Sequence, residues 1–361
     1  GVRIMAYTTI DDPSAYFQTA LYTGTGSGFS VTNSGNSDLQ PDWVWVKDRD
    51  ASNDHKITDS SRLASGKPSI TLESNTTAVE FDDADPMSTD SFDTDGFTIG
   101  TNGNYNTDGN TYVAWQWKCN GGTTETAVDE SGSNPANVRQ TNTDAGFSII
   151  TYTGTGSAGT IAHGLGAVPH VIIIKCRNIA HDWCVYHHKN TAAPETDFLV
   201  LNESNATADN DNKWNDTAPT STNITLKDGG GVNANDQTHV AYVFTEKQGY
   251  SKFGSYTGNG STDGAFVYTG FSPAWVMVKR TDSGNNWHMH DNKRVTSNPN
   301  NITQYANLAN ADASEDLDML SNGFRLKESG GGYNANNGTY VYMAFAESPF
   351  VSSEGVPTTA R

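Results

Sequence analysis

The sequence predicts an all-β protein built as three tandem β-sandwich modules of jelly-roll or immunoglobulin size. Three observations predict this. The 361 residues are dominated by Gly, Ser, Thr, Asn and Asp, with 35 Gly and 12 Pro, which is a turn-forming composition. The 8 Trp, 15 Tyr and 14 Phe supply core area that a disordered chain lacks. Finally, three landmarks recur in the same order three times, and self-similarity at a fixed period marks a repeat architecture.

The first landmark is YTGTGS at Tyr22, which returns at Tyr152 and again as YTGNGS at Tyr256. Its glycines suit a turn or bulge. The second landmark, 17 to 19 residues on, is a proline just before an apolar strand: Pro41 before DWVWVK, Pro169 before HVIIIK, Pro273 before AWVMVKR. A proline there loses an N–H where the loss does least harm. A short second strand follows each: HKITD, WCVYHH, WHMHD. The third landmark closes each module 84 to 90 residues after the tyrosine: TYVAWQW, THVAYVF, TYVYMAF. VIIIK and VAYVF read as buried strands, while FTIG and NITLK alternate. Helix is scarce, with a turn or two expected in DDPSAYF, where Pro13 stands early, and in ATADNDNKWND.

These landmarks divide the chain into an N-terminal arm (1–20), module one (21–119), a linker (120–145), module two (146–249), and module three with a C-terminal tail (250–361). The linker holds few large apolar residues. Modules two and three are joined without slack and are expected to pack as a rigid pair. The arm carries Val2, Ile4, Met5, Tyr7, Ile10, Tyr16 and Phe17 with no counterpart elsewhere. An uncovered apolar arm reads as a docking element for another protein, or as an edge strand and short helix added to module one.

The net charge of −19 disfavours the phosphate backbone of nucleic acid and anionic membrane surfaces. No apolar run is long enough for a transmembrane helix, and the start lacks the apolar stretch of a signal peptide. Three cysteines make no disulfide scaffold; Cys176 and Cys184 flank a short polar stretch and are either bridged or two packed thiols.

Acid clusters recur once per module: Asp82, Asp83 and Asp85; Asp209, Asp211 and Asp216; Asp312, Glu315, Asp316 and Asp318. Closely spaced carboxylates on a loop are what Ca²⁺ requires, and Ca²⁺ is the one cofactor the sequence offers; a solvated acidic loop is the other reading. His288 and His290 share a strand face, with Cys184, His187 and His188 in the matching strand of module two. These are borderline metal ligands, or histidines hydrogen-bonded at a module interface. Trp43 with Trp45, and Trp115 with Trp117, read as core pairs. Trp214 and Trp287, beside loops, are the candidates for stacking on sugar rings. No P-loop, nucleophile elbow, dinucleotide fingerprint or metalloprotease helix is present, and no catalytic residue is assigned.

Four strings carry a resemblance: TTIDDPSAYFQTALYTG, AHGLGAVPHVIIIK, GYSKFGSYTGNGSTDGAFVYTGFSPAWVMVKRTDS and MAFAESPFVSSEGVPTTAR. With these the chain resembles β-rich, fibre-like structural proteins of tailed phages that infect marine bacteria. Module one departs from the pattern in lacking the HGLG turn and in its longer acidic insertion. The resemblance implies an extracellular virion component without enzymatic activity: a fibre, tail appendage or head decoration with a role in host contact. It implies contact with other virion proteins through the arm, and self-association, with a trimer expected because fibres close around a symmetry axis. The alternatives are a lectin-like adhesin recognising host glycans and a polysaccharide-degrading tailspike.

Overall fold

A computed structural model describes residues 6–82, 89–126 and 132–358. It is nearly all β, and the landmarks dictate the pairing. In each repeat an opening strand, a closing strand, a proline strand and a return strand lie side by side in that order, all antiparallel. In repeat 1 these are Phe17–Thr23, Thr111–Trp117, Trp43–Asp48 and Lys56–Asp59. In repeat 2 they are Phe147–Thr153, Thr238–Phe244, Val171–Cys176 and Cys184–His187, and in repeat 3 Ser251–Thr257, Thr339–Pro349, Phe271–Arg280 and Trp287–Asp291. The register repeats as well. Tyr22 lies opposite Tyr112, Tyr152 opposite His239 and Tyr256 opposite Tyr340. Each of these ring pairs stacks at 4.9–5.0 Å.

The opening landmark has a steric reason. A Cβ at Gly24, Gly154 or Gly258 would sit 2.1–2.3 Å from the carbonyl oxygen of Thr107, Ala234 or Ala335. The next glycine of each copy, Gly26, Gly156 or Gly260, has φ between +62° and +67°, where only glycine is unstrained. A buried asparagine then closes each loop. Asn106, Asn233 and Asn334 accept from the N–H of Thr25, Thr155 and Asn259 (2.7–3.0 Å) and donate to the carbonyls of Ser27, Ser157 and Ser261 (2.7 Å each).

Both faces of each main sheet are apolar, so both are covered. One face packs on a small second layer. That layer is Phe29–Thr32, Gly96–Ile99 and Thr89–Asp93 in repeat 1, and Gly159–Ala162 with Asn223–Leu226 in repeat 2. In repeat 3 the main sheet itself continues through Asn300–Tyr305, Ala313–Leu320 and Gly323–Leu326 to Phe266–Tyr268. Each repeat thereby gains a private core, around Val44 and Phe97, Ile172 and Ile224, or Val276 and Phe324. The opposite faces of all three main sheets meet in one shared core that includes Trp43, Trp45, Trp115, Trp117, Tyr242 and Trp275. Rings touch across every repeat boundary: Trp43 stacks on Tyr242 (4.6 Å), Phe244 meets Phe345 (5.9 Å) and Trp117 meets Trp275 (5.6 Å).

Several expectations change here. The repeats do not follow one another as beads, because repeat 1 packs on repeat 3 as closely as on its neighbour in sequence. The span expected as a linker contributes the strand Asn137–Asn142, which pairs with the opening strand of repeat 2. The arm is not uncovered over its described part: Ile10 and Phe17 enter the shared core, and Phe17 stacks on Phe345 at 5.4 Å. Tyr7 donates to Gly270 O (2.7 Å) and Thr8 to Gln248 O (2.7 Å). Val2, Ile4 and Met5 lie outside the described residues. Pro13–Ala15 forms a 3₁₀ turn capped by Asp12. The stretch around Trp214 makes turns rather than helix, and short helices stand instead at Gly103–Asn106 and Gly230–Asn233.

All three cysteines are free and buried. Cys184 lies opposite Ile174, and Cys176 opposite His239, so the two thiols are two residues out of register for a bridge. Burial pushes the Cys184 thiol up to about 11. A thiol reagent is expected to label none of the three in the native protein at pH 7.5 and all three in urea. Rapid labelling of Cys184 in the native state would contradict this packing. Replacing Asn233 by Ala strands two backbone groups inside the loop and is expected to cost about 3 kcal/mol in urea unfolding, whereas the exposed Asn235→Ala change is expected to stay within about 0.5 kcal/mol.

Candidate functional site

Polar side chains converge on the joints between repeats. The residue that begins each return strand, or directly precedes it, reaches back to the preceding repeat. Trp183 Nε1 donates to Glu73 O (2.8 Å), Trp287 Nε1 to Val200 O (2.9 Å), and His55 Nε2 to Tyr305 O (3.0 Å). The acceptors are equivalent: each lies two residues before an asparagine (Asn75, Asn202, Asn307) whose side-chain oxygen accepts the N–H of His55, Trp183 or Trp287. A second set runs in parallel: Glu80 N–H to Arg177 O, Thr207 N–H to Thr281 O and Asp312 N–H to Arg49 O, at 2.7–2.9 Å. Repeat 1 thus joins 2, 2 joins 3, and 3 joins 1. One head-to-tail contact used three times closes a ring, an approximate threefold built within a single chain.

The end of each return strand makes a third set of joints. In repeat 1 Asp59 and Arg62, both fully buried, pair at 2.6 Å, and Asp59 accepts from Tyr242 OH of repeat 2 (2.6 Å). In repeat 3 Asp291 and Arg294 pair at 2.6 Å, and Asp291 accepts from Trp115 Nε1 of repeat 1 (3.1 Å). Repeat 2 uses His187 instead, which donates Nε2–H to Tyr342 O (3.1 Å) and accepts the Lys189 N–H on Nδ1 (3.1 Å). Burial, with His188 beside it, pushes the His187 pKa down to about 3.

The lysine ending each apolar proline strand is also buried. Lys175 Nζ donates to Thr77 O of repeat 1 and His181 O (3.0 and 2.6 Å), and Lys279 Nζ to Ser204 O of repeat 2 and Asn285 O (3.1 and 2.7 Å). Lys47 donates to Asp48 O and Ala51 O within its own repeat. Burial pushes all three ammonium groups down to about 8.

His170, His188 and Glu246 form the one group of three among the described residues whose ligand atoms lie within 4.8 Å of one another. No reading of the sequence singled out His170 or Glu246. Glu246 N–H donates to His170 Nδ1 (3.1 Å), which places the neutral ring's proton on Nε2. His188 donates Nε2–H to Phe253 O (2.7 Å), and Glu246 accepts from Lys252 Nζ (2.8 Å) and Phe253 N–H (2.9 Å). A metal ion here would have to displace the Nε2 proton of His170 and the ammonium of Lys252. Repeat 1 places Asp42, Ser60 and Cys119 at the matching positions: Asp42 accepts from Ser60 Oγ and Cys119 N–H (2.6 Å each). The triad is therefore the repeat-2 form of a structural joint. Burial, reinforced by His188, pushes His170 down to about 4.

The other expected sites are placed differently from their expectations. Trp214 and Trp287 are 2% and 3% exposed, with indole N–H groups on Asp197 O (3.1 Å) and Val200 O, so neither offers a ring face to a sugar. His288 pairs with Glu315 (2.5 Å) and His290 with Asn300 (3.3 Å); the two histidines share a face but not a ligand set. Among the described residues the acid clusters do not converge either. Asp82 accepts from Ser69, and Asp83 and Asp85 lie outside the described residues. Asp209 is exposed, Asp211 pairs with Lys227, and Asp216 is exposed. Asp312 pairs with Arg49 and Arg294, and Asp318 with Lys327, while the Asp316 carbonyl accepts from Tyr333 OH (2.7 Å). Of these acids, Asp211, Asp312 and Asp318 thus lie against lysine or arginine.

These features define an all-β chain of three ring-closed repeats. Residues 12–349 match the model of a family described as a domain of unknown function, DUF7483, and the chain belongs to that family. Among curated proteins none matches it.

The histidine joint is one of several buried-histidine sites that make stability depend on pH, with His55, His163, His239 and His290 shifted the same way by burial. His170, His187 and His188 have folded pKa values below the unfolded value of ~6.5. The unfolded state therefore binds more protons in this window, and their contribution is complete above pH 6.5 and lost as pH falls towards 4. The groups facing them are Glu246, Lys189 and Lys252, none of which reverses that sign. The urea midpoint is expected to fall between pH 6.5 and 4, and His187→Asn to flatten that fall. A midpoint equally steep in both proteins would show that the joint is not the titrating element.

Proposed function

We propose that this protein is a non-enzymatic structural component of a tailed-phage virion, a fibre, tail appendage or head decoration that meets the host surface outside the cell. Each repeat is read as a sandwich module, and the three modules as one rigid unit. The observation that carries this reading is the ring closure. Buried histidines, lysines and Asp–Arg pairs are bonded to carbonyls and to one another at joints between repeats, so their chemistry goes into holding a shape. The resemblance of four long strings to phage structural proteins supports the same conclusion. A fibre obtains threefold order from three chains, whereas this chain carries an approximate threefold of its own.

The test is location and inertness together. Peptides of this chain are expected in mass spectra of purified phage particles at a fixed stoichiometry to the major capsid protein. The purified chain is expected to release no reducing ends from host surface polysaccharide. Absence from washed particles, or release of oligosaccharide, would overturn the reading.

A further inference from the structure

In repeat 2 the outer edge of the main sheet is filled. Asn137–Asn142 runs antiparallel to the opening strand, with Val138 opposite Thr151 and Gln140 opposite Ile149. Thr153 N–H continues the ladder to Ala136 O (3.3 Å). Among the described residues the same edge is free in repeats 1 and 3: Phe17–Thr23 and Ser251–Thr257 pair on one side only, with their closing strands. Register fixes the equivalence, because Leu21, Thr151 and Ser255 lie opposite Val113, Val240 and Val341. Gly24 and Gly258 donate inward, to Asn110 O and Gly338 O. Antiparallel alternation then turns the backbone N–H and C=O of Leu21, Thr23, Ser255 and Thr257 outward. All four residues are exposed.

One step further along, the repeat-3 edge is closed by side chains, since Phe253 N–H donates to Glu246 and Phe253 O accepts from His188. The open length is thus Ser255–Thr257, whose residues also line a cleft of about 530 Å³ together with Thr339 and Tyr340 of the closing strand and Lys189, Asn190 and Thr191 of repeat 2. Unpaired edges are a template for another strand, and long ones are ordinarily blunted.

We propose that the edges at Leu21–Thr23 and Ser255–Thr257 each take an extended peptide strand from a partner protein, in the position Asn137–Asn142 fills in repeat 2. The occupant's chemistry follows from that segment, NVRQTN: largely polar, two β-branched residues (Val138 and Thr141) paired with the opening strand, one arginine and no acid. A basic peptide also suits a chain of net charge −19, whereas a second copy carries the same charge and is repelled. The backbone ladder supplies affinity and alternate side chains supply specificity. The inference concerns the free chain in solution and does not rest on the virion reading.

The probe is the synthetic peptide PANVRQTN, residues 135–142, carrying a spin label and added to the full chain. Saturable binding is expected, with paramagnetic broadening centred on the amides of residues 21–23 and 255–257. The double variant Leu21→Pro, Ser255→Pro removes one outward N–H from each edge, where proline is tolerated. It is expected to weaken binding at least tenfold. Broadening centred elsewhere, including on residues 147–153 through displacement of the native strand, would overturn the proposal. So would the absence of saturation, or unchanged affinity in a double variant that melts like the wild type.

Discussion

A sheet that is apolar on both faces has to be covered on both, and this requirement sets the architecture. WVWV, VIIIK and WVMVK place large side chains alternately up and down, so a sandwich of one main sheet and one small layer leaves half the apolar surface in water. The remedy is mutual. The second face of each main sheet meets those of the other two, and Trp43, Tyr242, Phe345 and Trp275 interlock where they do. Each repeat is therefore a topological unit without being a unit of stability, because its private core accounts for only one of its faces.

Apolar packing alone would tolerate sliding between the sheets, and the polar joints remove that freedom. Buried Asp–Arg pairs contribute little net stability, but a partner left unmatched is costly, so they penalise every arrangement except one. The three joints solve the same problem with different side chains. Asp59 with Arg62 and Asp291 with Arg294 hold two of them, and repeat 2 substitutes the neutral ring of His187. The substitution keeps a donor and an acceptor at the position while avoiding a buried charge, and it adds His187 to the buried histidines, His55 among them, that resist protonation in the folded state.

The strand order and the threefold recurrence were legible because their causes are local. A glycine under a carbonyl, a proline ahead of a ladder and a lysine at the end of an apolar run each leave a mark in the chain. The ring closure was not legible, since it depends on which repeat faces which, and at one of its three joints His55 stands where the others have tryptophan. The surface tryptophans were misread for a related reason: a bulky residue beside a loop looks exposed until another repeat covers it, as Val200 of repeat 2 meets Trp287. The strand Asn137–Asn142 was hidden by its polarity, because pairing at a sheet edge asks for backbone groups rather than apolar side chains. The His170, His188 and Glu246 group could have been sought by asking what repeat 2 places where repeat 1 has Asp42 and Ser60.

Ring closure within one chain also bears on the order of events at the ribosome. The aromatic face of repeat 1, with its four tryptophans Trp43, Trp45, Trp115 and Trp117, is synthesised first and meets Tyr242 only when repeat 2 has emerged. Its other neighbour, Trp275, arrives later still, and the closing strand that brings Phe345 against Phe17 follows it. A nascent chain therefore carries an open, sticky surface until repeat 3 has emerged, and a chain released before then presents faces that fit one another across molecules. Repeat 3 acts as an internal stopper, covering the aromatic faces that repeats 1 and 2 leave open.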